Sequence, residues 1–227
     1  MDRTRIAFAL CLSMGLSACG SSPTSPTATT TPATPATPST PSNRAPVINS
    51  LNLAPGFGIA QLTQFSFNAS ASDPDGDAIT YVWDVNGQAF TGTSGSTTFP
   101  SGFSGNARVT VTDSKGATAT DTRTLVVGGM DGKWIGTIPG YTNLLFDLTQ
   151  SRTVVTGTFL EQFFGPGKID PAEPGSIDAD GNVQMRVKLA FFTDFTFRGR
   201  MDATGRRITG GVFGSGFTGQ AFSMTKQ

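Results

Sequence analysis

The sequence predicts an all-β protein, with two successive domains of short antiparallel strands behind an apolar leader and a proline-rich linker. Three observations predict it. Apolar and polar residues alternate with period two over many short runs, the pattern of half-buried strands. Clusters of Gly, Asn, Asp and Ser, which favour turns, separate those runs. Long amphipathic stretches of Leu, Ala, Glu and Lys are missing, while the 227 residues include 28 Gly and 18 Phe, a composition suited to strands and turns.

Composition also narrows the function. Sixteen basic and sixteen acidic side chains cancel, and charged residues are only 14% of the chain. A broad basic face for nucleic acid is thereby excluded. The chain has no histidine, so the commonest general base and metal ligand is missing. Its two cysteines, Cys11 and Cys19, both precede the domains, which leaves no disulfide or thiolate zinc site within them. Gly214-Ser215-Gly216 sits in a predicted hairpin with no base nearby, and no phosphate-cradling glycine loop leads into a helix. Glu161, Asp170, Glu173 and Asp178 could supply a glycosidase pair only by their presence. A non-catalytic protein without an obligatory cofactor is expected.

Residues 1–18 read as an export signal. Arg3 and Arg5 precede the apolar run Ile6–Leu16, and small residues follow. The run is too short to span a bilayer, which takes about 20 residues. Leu16-Ser17-Ala18-Cys19 resembles the lipobox of bacterial lipoproteins. The resemblance implies diacylglycerol on Cys19, cleavage before it and acylation, for instance with palmitate, of the new amino group. Each buried CH2 then contributes about 0.8 kcal/mol to anchoring. Cys11 is a passenger in the apolar run. Gly20 rather than Asp follows the cysteine. By similarity to lipoproteins of Gram-negative bacteria, that implies the outer membrane, facing either side. Residues 19–45 are nearly all Pro, Thr, Ser and Ala, with nothing apolar to offset the entropy of ordering. Such a disordered linker, extended at about 3.1 Å per residue, reaches up to roughly 80 Å.

Residues 46–128 form the first domain. Phe65–Ala69 alternates, as does Ile79–Val85, which places Ile79, Tyr81, Trp83 and Val85 on one face. Asn86-Gly87 is a strong two-residue hairpin signal. Ala107–Asp113 and Thr120–Val127 supply later strands, giving around seven in all and a β-sandwich. FNASASDPDGDAITYVWDVNG followed by VTVTDSKGATATDTRTLVV resembles the polycystic kidney disease (PKD) repeats and their Ig-like relatives. The resemblance implies a core role for Trp83, and a spacer or a protein- or carbohydrate-contact module. Asp73, Asp75 and Asp77 form an alternate-carboxylate loop with Gly76. Such a loop either offers oxygens to calcium or serves only as turn chemistry.

Residues 131–227 form the second domain. Leu144, Phe146 and Leu148 share a face, and Val154–Leu160 pairs with them across Ser151-Arg152. Gly/Pro-rich Phe163–Pro174 reads as a loop. Val183, Met185, Val187, Leu189 and Phe191 form one stripe, and Phe195, Phe197 and Met201 repeat it. About eight strands joined by short turns predict an up-and-down β-barrel. Its charged outer face excludes a membrane-spanning barrel. Gly132-Lys133-Trp134-Ile135-Gly136 and the run from Leu148 to Phe159 loosely resemble small lipocalin-like and avidin-like barrels, which implies a core role for Trp134.

The barrel interior is either filled or open to one small apolar ligand. In the open case Trp134, Phe146, Phe159, Phe191, Phe195 and Phe197 line the pocket. Phe163 and Phe164 then make a lid or contact loop, or simply plug one end. Three functions follow: binding or adhesion toward an envelope glycan or protein, carriage of an apolar ligand in the barrel, and a structural place in an envelope assembly.

Overall fold

The computed structural model describes residues 42–227. The signal, Cys19 and linker residues 20–41 lie outside the described residues. Among the described residues every regular element is a strand.

The first domain has β1 (Val47–Ala54), β2 (Phe57–Ile59), β3 (Phe65–Ser72), β4 (Ile79–Val85), β5 (Gln88–Thr91), β6 (Ser94–Thr97), β7 (Phe103–Asp113) and β8 (Thr118–Gly128). They form two facing sheets, ordered β1-β3-β6 and β2-β8-β7-β4-β5. The eighth strand, beyond the seven expected, comes from short pieces such as β2, which runs parallel to β8. Trp83 is fully buried, its ring 4.7 Å from Phe67 and its indole N–H donating to the Gly92 carbonyl at 2.9 Å. Asn86 and Gly87 join β4 to β5 with φ of 49° and 84°, the doubly positive turn that matches strand twist.

The second domain has β9 (Gly132–Ile138), β10 (Tyr141–Ser151), β11 (Val154–Glu161), β12 (Gly165–Ile169), β13 (Gly175–Ile177), β14 (Asn182–Leu189), β15 (Phe195–Met201), β16 (Arg207–Gly214) and β17 (Phe217–Lys226). All neighbours are antiparallel, and β17 closes on β9 through pairs such as Met224↔Gly136. β12 and β13 share one position between β11 and β14, so nine strands make an eight-stranded barrel. Two sequence expectations are corrected. The stretch expected as one loop, Phe163–Pro174, contains β12, which pairs with β11 on one side and β14 on the other. Phe191 does not continue the inward stripe of β14. The strand stops at Leu189, and Phe191 stands 85% exposed in the loop to β15.

The interior is filled with side chains. Trp134, Phe146, Phe159, Phe195 and Phe197 are each at most 2% exposed. The four phenylalanine rings contact one another edge-on, as in Phe146–Phe159 at 5.2 Å and Phe195–Phe197 at 5.2 Å, a favourable aromatic geometry.

One end of the barrel is closed by the first domain. Ile59 belongs to the barrel core while the next residue, Ala60, belongs to the sandwich core. Buried Gln150 accepts from the Met130 N–H (2.9 Å) and donates to the Ala60 and Arg152 carbonyls (both 3.0 Å). Gln61 returns the arrangement, accepting from the Arg152 N–H and donating to the Gln150 carbonyl. The backbones of Gly128 and Gly205 meet here, where a Cβ on Gly205 would lie 2.9 Å from the Gly128 Cα. Lys226 donates to the Gly129 carbonyl, and burial pushes its pKa down against the pull of Asp131.

Candidate functional site: the free end of the barrel

The opposite end of the barrel carries the β9–β10, β11–β12, β14–β15 and β16–β17 connections. Glu161 shapes the second of these. Its side chain is buried, and one carboxylate oxygen accepts the N–H groups of Phe163 (2.6 Å) and Phe164 (3.0 Å). That folds the hairpin so that successive phenylalanines point opposite ways. Phe164 turns inward, is 4% exposed, and packs against Tyr141 (4.8 Å) and Phe195 (5.4 Å). It plugs the barrel mouth, with Phe217 and Tyr141 around it.

Phe163 turns outward, 61% exposed. It meets Phe192 of the β14–β15 loop at 5.6 Å with ring planes 36° apart. Phe191 and Phe192, 85% and 41% exposed, extend the patch. A hydroxyl bond from Thr193 to Ser215 (2.9 Å) ties the β14–β15 and β16–β17 loops together. Below the rings, Arg186 bridges Glu173 and Asp194 (2.8 and 3.2 Å). These carboxylates, Glu173 foremost, raise its pKa.

The eight residues expected to line a pocket therefore separate. Trp134, Phe146, Phe159, Phe195 and Phe197 are core, Phe164 is a plug, and Phe163 and Phe191 are surface. Sequence reasoning missed Phe192, and with it the exposed leucines Leu145 and Leu160 on the outer wall. A signal was present. Phe163-Phe164 and Phe191-Phe192 each break the alternation with two adjacent rings, and only one of each pair can face inward.

At the far end of the sandwich, Asp73, Asp75 and Asp77 each offer a carboxylate oxygen within 4.8 Å of the others. One Asp73 oxygen accepts the N–H groups of Asp75 and Asp77, which is turn chemistry. The hydrogen bond and charge of Arg44 hold Asp75 below the usual carboxylate range. Lys115 lies 2.9 Å from Asp77. The second oxygen of Asp73 is buried without a hydrogen-bond donor among the described residues. Oxygen-only ligands of this density fit a hard dication, although Arg44 and Lys115 already offset two of the three charges.

The sandwich with its buried tryptophan and inter-sheet core leads to a family. Residues 43–126 match the bacterial Ig domain family. The first domain is a bacterial Ig domain. Among solved structures, the PKD1 domain of Vibrio anguillarum Epp is 33% identical, covering 38% of this chain and 96% of that one, with a TM-score of 0.31. The PKD1 domain from the Vibrio cholerae metalloprotease PrtV is 29% identical over 37% of this chain and 98% of that one, also with a TM-score of 0.31. A structure of carbohydrate-binding modules from the β-sandwich superfamily is 16% identical over 82% of this chain and 93% of that one, with a TM-score of 0.37. No curated protein matches the chain. The Ig domain thus accounts for the Asp73–Asp77 loop and the barrel-closing junction, while the aromatic end belongs wholly to the second domain.

Proposed function

We propose that this is a non-catalytic binding protein of the bacterial cell envelope, anchored through a lipid on Cys19, which makes its contact through the free end of the barrel. The observation that carries the reading is the exposure of Phe163, Phe191 and Phe192 at that end. Phe164 already closes the mouth beneath them, so the core does not require these rings. Clustered exposed aromatics of this kind mark interaction surfaces.

The placement of the chain supports the same reading. Asn43 and Arg44 bond to Asp113 and Asp75, at the end of the Ig domain away from the barrel. Asn43 and Arg44 thus lie at the end of residues 42–227 opposite to the barrel's free end. In this reading the Ig domain is a stiff spacer, and the partner is an envelope component. The lipobox-like Cys19 with Gly20 after it supports an outer-membrane anchor. A carrier of apolar ligands would need room inside the barrel, and the packed rings of Phe146, Phe159, Phe195 and Phe197 fill it.

The test is retention on isolated envelopes by the processed chain without its acylated cysteine, residues 20–227. The wild type should sediment with envelopes, and the triple variant Phe163→Ser/Phe191→Ser/Phe192→Ser should stay in solution. Equal sedimentation of both would overturn the reading. The anchor is tested separately: Cys19→Ala should move the full chain from the membrane to the soluble fraction.

A further inference from the structure

The outer wall of the barrel near its free end is layered. One outward-facing cross-strand row on β9, β10, β11 and β12 runs Ile135–Leu145–Leu160–Pro166, its Leu160–Pro166 end next to the phenylalanine hairpin and its other end behind exposed Thr137 and Asn143. All four are apolar, and Leu145 and Leu160 are 42% and 50% exposed. The next outward-facing residues, about 6.6 Å farther along each strand, are Thr158, Lys168 and Lys188 on β11, β12 and β14. The row continues through Asp147 to Lys133 at the end closed by the first domain, so its cationic part near the free end is Lys168 and Lys188. Lys168 and Lys188 are exposed and directly opposite each other. No ion pair reaches either lysine among the described residues. Like charges facing across a sheet are unfavourable, so this row is built for an anionic surround. On the other flank the same order recurs, with Phe213 37% exposed and the Arg198 guanidinium 5.4 Å from its ring.

Apolar tip, apolar row and cationic row match the depth profile of a bilayer interface: acyl boundary, then phosphate headgroups. We propose that the free end docks onto an anionic lipid bilayer, the phenylalanine loops entering the interface and the lysine row lying among the phosphates. This rests on the reading of the free end as the contact surface. The three exposed rings stand on the β11–β12 and β14–β15 loops. Three of the free end's polar side chains are engaged internally: Glu161 by the Phe163 and Phe164 N–H groups, Asp194 by Arg186, and Thr193 by Ser215. The chain's formal charge is zero, so attraction to an anionic surface comes from this local row and not from the whole molecule.

The probe is vesicles of phosphatidylcholine, with and without phosphatidylglycerol, mixed with residues 20–227. The wild type should co-sediment with the phosphatidylglycerol vesicles, and less as salt rises. Removing the three rings (Phe163→Ser/Phe191→Ser/Phe192→Ser) should weaken binding by on the order of 10-fold or more. Lys168→Glu/Lys188→Glu should weaken it by about fivefold for each lysine lost, and remove most of the salt dependence. Circular dichroism and an unchanged melting midpoint establish that each variant is folded. Lysine variants that bind as well as wild type overturn the proposal. So does a wild type that ignores vesicles yet still sediments with envelopes through its rings; that result leaves the contact surface standing and points to a glycan or protein. Failure on both vesicles and envelopes removes both readings.

Discussion

The two ends of the barrel face the same physical problem and meet it differently. Each is a mouth through which an apolar interior would otherwise meet water. At the covered end the neighbouring Ig domain supplies Ile59 as a plug, and Gln61 and Gln150 satisfy the buried backbone groups around it. The turns there are short and polar, as at Asp178, whose carboxylate accepts the Asp180 and Asn182 N–H groups. At the free end the barrel supplies its own plug, Phe164, and then adds three exposed rings that closure does not need. The surplus, rather than the plug, separates a surface shaped for contact from one shaped only for stability.

The sharpest way to break that contrast is to delete one ring from each class. Trp134→Ala should cost about 3–5 kcal/mol, as for other buried aromatics, whereas Phe191→Ala should change stability by no more than about 0.5 kcal/mol. Denaturant unfolding measures both, and a costly Phe191→Ala would make the tip part of the core. Next, Gln150→Leu leaves the Met130 N–H and the Ala60 carbonyl without their partner. An orphaned buried group costs about 1–3 kcal/mol, and calorimetry should show the single transition splitting in two as the domains uncouple. A single undivided transition would show that the glutamines do not join the domains.

Calcium tests the third extremity. If Asp73, Asp75 and Asp77 hold the ion, a hundredfold excess over its dissociation constant adds about 2.7 kcal/mol. Asp73→Asn should then abolish the rise in the Ig domain's melting midpoint. An unmoved midpoint assigns the loop to turn chemistry alone.

The smallest effect is that of acid. Asp75, Asp113 and Asp178 titrate below the usual range when folded. Arg44 holds Asp75. Hydrogen bonds from Asn43 and the Ala117 and Lys115 N–H groups outweigh burial at Asp113. Asn182 holds Asp178. A lowered folded pKa stabilises above the unfolded value of about 3.9 and is lost as pH falls through the folded values. Tryptophan fluorescence should therefore show little loss of stability at pH 5 and a progressive loss below pH ~4. A loss complete by pH 5 would contradict these assignments.

Much of the fold was legible because alternation and turn chemistry act locally. Trp83 stood on an alternating face, family resemblance implied a core place for both Trp83 and Trp134, and Asn86-Gly87 was readable as a hairpin from the dihedrals it allows. β12 was not legible, since Gly165-Pro166-Gly167 has no side-chain periodicity and gains its strand character only from β11 and β14. The site was half legible. The Phe163-Phe164 loop stood out by composition, but the sense of each ring is set by the Glu161 carboxylate, a contact no spacing reveals. Phe191 looked like one more step of the β14 stripe, and only the adjacent ring of Phe192 signalled that the alternation had ended. The juxtaposition of Leu145 with Leu160 and of Lys168 with Lys188 depends on cross-strand register, which alternation within single strands does not fix.

The account turns on the free end, and not the covered one, meeting an anionic bilayer. Residues 20–227 contain no cysteine, so a single environment-sensitive fluorophore can be placed by Gln162→Cys beside Phe163, or by Thr204→Cys in the β15–β16 turn at the covered end. With phosphatidylglycerol vesicles, the label at 162 should shift to the blue and brighten while the label at 204 stays unchanged. Equal responses at the two positions, or no response at 162, would contradict the account.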